Sequence, residues 1–182
     1  LQVYDMLRAR IIPCLLIRQG GLVETEKFKN HKYVGDPLNA VKIFNEKQAD
    51  ELMVLDIDAT VNKREPEYEL IKNLATECRM PLCYGGGIST VEQAKYIIGL
   101  GVEKISISYA AIENPDIITG IAREIGSQSI VVVLDIKKEK SFFKEYYGIR
   151  SHNGFKKYKL DLIEFVKKIE SAGAGEIIIN SI

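Results

Sequence analysis

Six short apolar segments, at 10–17, 51–57, 81–84, 104–108, 130–136 and 176–182, punctuate this chain, with polar turns and stretches of helical period between them. Segments such as SIVVVLDI and EIIINSI are apolar almost throughout, so both faces of the strands they form must be covered. Parallel strands with crossover helices meet that demand, and the spacing predicts an α/β chain. Helix starts are marked by Asp36-Pro37 and Asn114-Pro115, each a capping side chain before a proline at the first helical position. Ser89 and Glu92 have the spacing of a capping box. Helices are predicted at 37–47, 67–77, 90–98, 115–125 and 161–171, with Gly99, Gly101, Gly126 and Gly173 as stop signals.

Two strand-to-helix connections are long, 18–35 and 137–159. The second contains FFKEYYGI and then SHNG before FKKYKL, the pattern of a β-hairpin turning at Asn153-Gly154. Long loops after the first and fifth strands hint at a half repeated once. The architecture expected is a (β/α)8 TIM barrel with about six of its eight βα units in this chain. An open apolar edge invites aggregation, so about two further units are expected in the natural protein. Residues 1–5 read as an N-terminal extension, and 6–182 as the partial barrel.

Charge narrows the partners. With 25 Lys and Arg against 25 Asp and Glu, the chain lacks the bulk field that nucleic acid binding requires. The apolar runs are too short to cross a bilayer and no signal sequence is visible, so a cytoplasmic protein without membrane contact is expected. Cys14, Cys78 and Cys83 lack metal spacing and read as reduced, buried hydrophobes. His31 and His152 fall in the long loops without a partner at ligand spacing. Neither a metal nor a cofactor is expected.

In a β/α barrel the chemistry sits where the strands give out on their C-terminal side. Those positions hold Leu16, Asp56 with Asp58, Gly85-Gly86-Gly87, Ser108-Tyr109, Asp135 and Asn180-Ser181. The glycine run brings backbone N–H groups to a helix start, which suits a phosphate; a tight turn that simply needs glycine is the other reading. Asp135 ends an otherwise apolar run, so it either faces the mouth as an acid/base group or pairs with a neighbour such as Lys137. Asp56 and Asp58 either touch substrate or accept N–H bonds from the following loop. At the opposite end Arg10, Glu51, Lys104 and Glu176 stand at strand starts. They are either solvated ends or, pointing inward, a paired plug or gate in the floor.

Read in order, RIIPCL, GDPLNAVKIFNEKQADELMVLDI, YGGGI, VEKISI, AAIENPDIITGIA, GSQSIVVVLDIK and SAGAGEIIINSI resemble the cyclase subunit of imidazole glycerol phosphate synthase, from Met6 to Ile182. The resemblance implies a barrel that receives ammonia from a glutaminase partner on its floor and uses it at the mouth. It implies an ammonia gate of Arg10, Glu51, Lys104 and Glu176, a catalytic Asp135, and a phosphate site at Gly87, Ser108 and Tyr109. Ser108 and Tyr109 replace the usual Asn and Thr, Leu16 replaces the first catalytic aspartate, and Glu24 replaces a substrate-binding lysine for which Lys27 offers a substitute.

The combination of C-L-L, L-D-I-D-A-T and C-Y-G-G-G-I is similar to a divergent branch of that family, which works with a glutamine amidotransferase in making acetamidino groups on bacterial surface sugars such as those of lipopolysaccharide. That resemblance implies a phosphorylated or nucleotide-linked substrate, with Gly85, Gly86, Gly87, Ser108, Asp56, Asp58 and Lys27 as candidate contacts. The alternatives are the cyclase of histidine biosynthesis itself, a non-catalytic activator of a glutaminase, and the sister ribosyl-isomerase barrel.

Overall fold

The computed structural model describes residues 9–26, 29–140 and 145–182. Along the chain, β1 (Cys14–Arg18), β2 (Gly21–Glu26) and β3 (Lys29–Gly35) precede α1 (Pro37–Lys47). Then come β4 (Leu52–Asp56), α2 (Tyr68–Glu77), β5 (Leu82–Gly85), α3 (Val91–Gly99) and β6 (Lys104–Ile107). The remainder runs through α4 (Tyr109–Glu113), α5 (Asp116–Ile125), β7 (Ile130–Lys140), β8 (Glu145–Ser151), β9 (Lys156–Tyr158), α6 (Leu162–Ala172) and β10 (Glu176–Ser181).

β1, β4, β5, β6, β7 and β10 lie side by side and pair in parallel, forming six strands of a (β/α)8 barrel wall. Alternation sorts their side chains into two layers. Ile17, Leu52, Val54, Leu82, Tyr84, Ile105, Ile107, Ile130, Val132 and Leu134 face outward and pack with the helices in the main core. Met53, Cys83, Val131 and Val133 face the lumen, with Ile12, Leu55 and Ile178 against them. Both faces are apolar because both are covered.

Local sequence explains the helix starts. Asp36 Oδ1 accepts from Asn39 N at 3.1 Å and Asp161 Oδ1 accepts from Glu164 N at 3.0 Å. The capping box of α3 sits one residue later than expected: Thr90 caps it and Gln93, not Glu92, returns the bond. Asn114 Oδ1 accepts from Asp116 N at 3.2 Å, with Pro115 rather than Asn114 in the cap position.

The long connections are not loops. Within 18–35, β1 turns into β2 through Gln19 and Gly20 at φ 50° and 76°, the two-residue turn that matches strand twist, and β2 pairs antiparallel with β3. His31 therefore lies in β3. In the second connection β7 runs on to Lys140 and pairs antiparallel with β8, which pairs with β9 across the expected Asn153-Gly154 turn. Residues 1–5 and Lys27 lie outside the described residues.

Candidate functional site

The four charges at the strand starts meet in a closed ring. Arg10 Nη1 donates to Glu51 Oε2 at 2.8 Å and Arg10 Nη2 to Glu176 Oε1 at 2.9 Å. Lys104 Nζ donates to the same two oxygens at 2.8 and 2.7 Å. Each cation thus touches both anions. Glu51 is only 2% exposed, a burial that is tolerable because two cations replace its water. Burial pushes the Lys104 amine down, but its bonds to Glu176 and Glu51 outweigh this and hold it above its ordinary value. Burial pushes Glu176 up, and the bonds from Lys104 and Arg10 bring it below its ordinary value. These charges are not merely solvated strand ends.

Above the ring the lumen is apolar, and a cavity of about 1210 Å³ runs from Arg10 past Ile12, Cys14 and Met53 to the mouth. Arg10, Ile12, Cys14 and Leu16 alternate along the segment that leads into and through β1, and all four line this cavity. Cys14 therefore faces the lumen instead of being packed away as expected; burial pushes its thiol up to about 11, so it stays protonated and unreactive near neutral pH. All three cysteines are free thiols.

At the mouth Asp135 faces the cavity and is not paired with Lys137. Its Oδ1 accepts from Asn180 Nδ2 at 2.7 Å. The two residues are register partners on β7 and β10. Burial raises the Asp135 carboxyl above its ordinary value, and the Asn180 bond offsets part of that rise. A carboxyl shifted in this direction holds its proton closer to neutral pH, which is what proton transfer to a substrate needs. Leu16 lines the same mouth and offers only an apolar wall.

The remaining candidates are placed less simply. Asp56 is buried, and its Oδ1 accepts from the backbone of Asp58 and Ala59 at 3.0 Å each, with Arg64 Nη2 at 3.4 Å from its Oδ2. Asp58 Oδ2 accepts from Arg18 Nε at 2.9 Å, and Asp58 does not line the cavity. Both carboxylates thus hold the loop and strand end, and Asp56 also lines the cavity. The glycine run is required by close packing. A Cβ on Gly85 would lie 2.8 Å from Leu55 and Ser106, one on Gly86 would lie 2.4 Å from the Asp56 carbonyl, and one on Gly87 would lie 2.8 Å from the Arg64 carbonyl. Gly86 and Gly87 also adopt φ of 115° and 76°.

Several backbone amides at this helix start are already engaged. Gly87 N faces Thr60 Oγ1 at 3.4 Å, Ser89 N and Thr90 N donate to Gln93 Oε1, and Gln93 N donates to Thr90 Oγ1.

Ser108 and Tyr109 line the cavity, where Tyr109 meets the hairpin turn between β8 and β9. The Tyr109 and His152 rings pack edge to face at 4.5 Å, and Lys156 Nζ sits 5.1 Å from the Tyr109 ring centre. Lys156 and Tyr158 both donate to Glu113 on α4, at 2.6 and 2.8 Å. The hairpin is therefore pinned to α4 across the place where the phosphate site was expected. His152 is not a plain loop residue; the Tyr at 109 was its signal, but only strand register brings the two together.

Among the described residues no three His, Cys, Asp or Glu side chains gather as metal ligands, and no helix is long and apolar enough to cross a membrane.

Comparison with known proteins fits this geometry. Residues 10–182 match the family described as histidine biosynthesis protein. A Vibrio vulnificus protein, provisionally named subunit hisF3 of imidazole glycerol phosphate synthase, is 60% identical over 182 residues, which are 100% of this chain and 69% of that protein. A Leptospira interrogans protein, provisionally named subunit HisF, is 54% identical over 97% of this chain and 69% of its own length. The imidazole glycerol phosphate synthase subunit HisF of Pyrococcus furiosus is 42% identical over 97% of this chain and 68% of its own length. The chain therefore belongs to the histidine biosynthesis protein family and, within it, to the HisF family of imidazole glycerol phosphate synthase cyclase subunits.

Proposed function

We propose that the protein is the ammonia-using subunit of a synthase, supplied by a glutamine amidotransferase on its floor, and that it transfers nitrogen to the N-acetyl group of a nucleotide-linked sugar. The observation that carries this reading is the contrast between the two ends of the barrel. The ring of Arg10, Glu51, Lys104 and Glu176 is complete at the floor, whereas the mouth has Leu16 beside Asp135 and the Tyr109–His152 pair where a phosphate would sit. Neutral ammonia crosses an apolar lumen at little cost, while an ammonium ion does not, so the lumen suits delivery from floor to mouth.

In the reaction proposed, ammonia attacks the acetyl carbonyl carbon, a C–N bond forms, and the carbonyl oxygen leaves as water. The product is the acetamidino group. Asp135 gives and takes the protons, fixed by Asn180. Identities support a separate branch: 51–60% to the four provisionally named relatives compared, against 39–43% to four HisF subunits.

The second reading is the cyclase of histidine biosynthesis, favoured by the retained Asp135, the floor ring and the matched family. Incubating the full-length protein with ammonium and either a nucleotide-linked N-acetyl sugar or the cyclase's own nucleotide substrate separates the two. Mass spectrometry that finds oxygen exchanged for NH on the sugar supports the proposal. Imidazole glycerol phosphate formation supports the second reading instead. Stimulation of a glutaminase without turnover of either substrate marks a non-catalytic activator, and isomerisation without nitrogen transfer marks the sister barrel.

A further inference from the structure

Asp135 has a neighbour on each side of β7, Asn180 on β10 and Arg150 on β8, and both are its register partners. Residues directly opposite in an antiparallel pair point to the same face with Cβ atoms about 5 Å apart, well within an arginine's reach. Yet among the described residues Asp135 bonds only to the neutral amide of Asn180. Arg150 is turned along β8 onto Glu139, four residues further on the strand that carries Asp135.

Glu139 is built to hold it there. Its side chain crosses Gly148, where a Cβ would lie 3.0 Å from Glu139 Oε1. Lys157 and the Tyr146 hydroxyl close on its other oxygen, the latter at 2.6 Å. Three donors hold this carboxylate well below the usual range, at about 2, with the Lys157 bond the largest contributor, so it remains charged under all ordinary conditions. Arg150 Nε is buried without a hydrogen-bond partner among the described residues, so Glu139 holds the guanidinium through Nη2.

We propose that Glu139 is a positioning residue that draws Arg150 off Asp135, leaving the mouth carboxyl on a neutral amide and free of any cation for proton transfer. This rests on the reading of Asp135 as the proton-transfer group. An arginine on Asp135 would pin it as a carboxylate and occupy an oxygen that substrate needs. Among the described residues, the charged groups on the strands beside Asp135 are Arg150 of β8, Lys157 of β9 and Lys137 of β7; β10 offers Asn180 and Ser181, the hairpin turn His152, and the loop after β4 brings Lys63, Arg64 and Glu65 to the same cavity.

The test is a carbon-13 NMR titration of the Asp135 carboxyl in the full-length protein, which needs no substrate and so stands apart from the identity of the acceptor. In Glu139→Gln the Asp135 pKa is expected to fall by about one unit or more as Arg150 swings over, and in Glu139→Gln/Arg150→Gln it is expected to return. An unchanged value in the folded single variant, or an equal fall in both, overturns the proposal. Should Glu139→Gln not fold, Arg150→Gln alone decides. Its Asp135 titration is expected to match the parent, and a rise shows that Arg150 already acts on Asp135.

Discussion

Asn180 Nδ2 donates to Asp135 Oδ1 at 2.7 Å across two neighbouring parallel strands, which fixes one carboxylate oxygen and leaves the other to the cavity. Replacing that amide by a hydrophobe removes the interaction that favours the charged form. In Asn180→Leu the Asp135 pKa, already raised by burial, is expected to rise further. A raised carboxyl pKa also means that stability falls as pH rises from the unfolded value through the folded one, so the variant's loss extends to higher pH than the parent's. Carbon-13 titration and urea unfolding across that range measure both effects, and a lowered Asp135 pKa contradicts this account.

The floor ring predicts an acid dependence of the opposite sign. Lys104 and Arg10 hold Glu176 below its ordinary 4.5 against the push of burial, so its stabilising contribution is present above 4.5 and lost as pH falls through the lowered value. Glu176→Gln is therefore expected to be less stable than the parent at about pH 7, with the gap closing at about pH 3. Urea unfolding at both pH values measures it. A gap that is the same at both shows that the ring is not coupled to Glu176 ionisation.

Gly86 distinguishes a packing turn from an anion cradle. Gly86→Ala keeps the backbone N–H but places a Cβ 2.4 Å from the Asp56 carbonyl at φ 115°, and a loss of about 2–4 kcal/mol is expected. Denaturant unfolding checks it. A change within about 0.5 kcal/mol means that the loop gives way easily and packing is not what demands glycine.

Tyr109 and His152 are expected to exclude phosphate. Ser108→Asn/Tyr109→Thr removes the ring pair and the contact of Lys156 with the Tyr109 ring, at a stability cost of about 1 kcal/mol. Affinity for inorganic phosphate, measured by calorimetry, is expected to rise about tenfold, or about 1.4 kcal/mol. No gain in the folded variant places the restriction elsewhere, with Glu24 the next residue to exchange.

How much of this was legible in the sequence follows from which contacts are local. The strands and helices were readable because each apolar run is bounded by its own cap or glycine, as at Asp36 and Asp161, where the capping bond spans three residues. Parity carried further: Arg10, Ile12, Cys14 and Leu16 alternate along the segment that runs into β1, and all four line the cavity as a period of two requires. What stayed open depends on register between distant segments. Asp56 and Asp58 looked alike, yet only the structure shows one gripping its own loop and the other Arg18. The β1–β2 turn was missed because Gln19-Gly20 is a weaker turn signal than Asn153-Gly154. Neither the Arg150–Glu139 pair nor the Tyr109–His152 contact has a local signature, since each requires knowing how β8 lies on β7.

The central claim is that ammonia enters through the floor ring and reacts at the mouth. Lys104 bonds to both Glu51 and Glu176, so Lys104→Met opens the ring without touching Asp135. The direct measurement is nitrogen transfer by this variant with its glutaminase partner and glutamine, compared with transfer from free ammonium, which reaches the mouth from solution. The account predicts a glutamine-dependent rate lowered about tenfold more than the ammonium-dependent rate. Equal losses in the two assays would contradict it, and would make the four charges a structural plug.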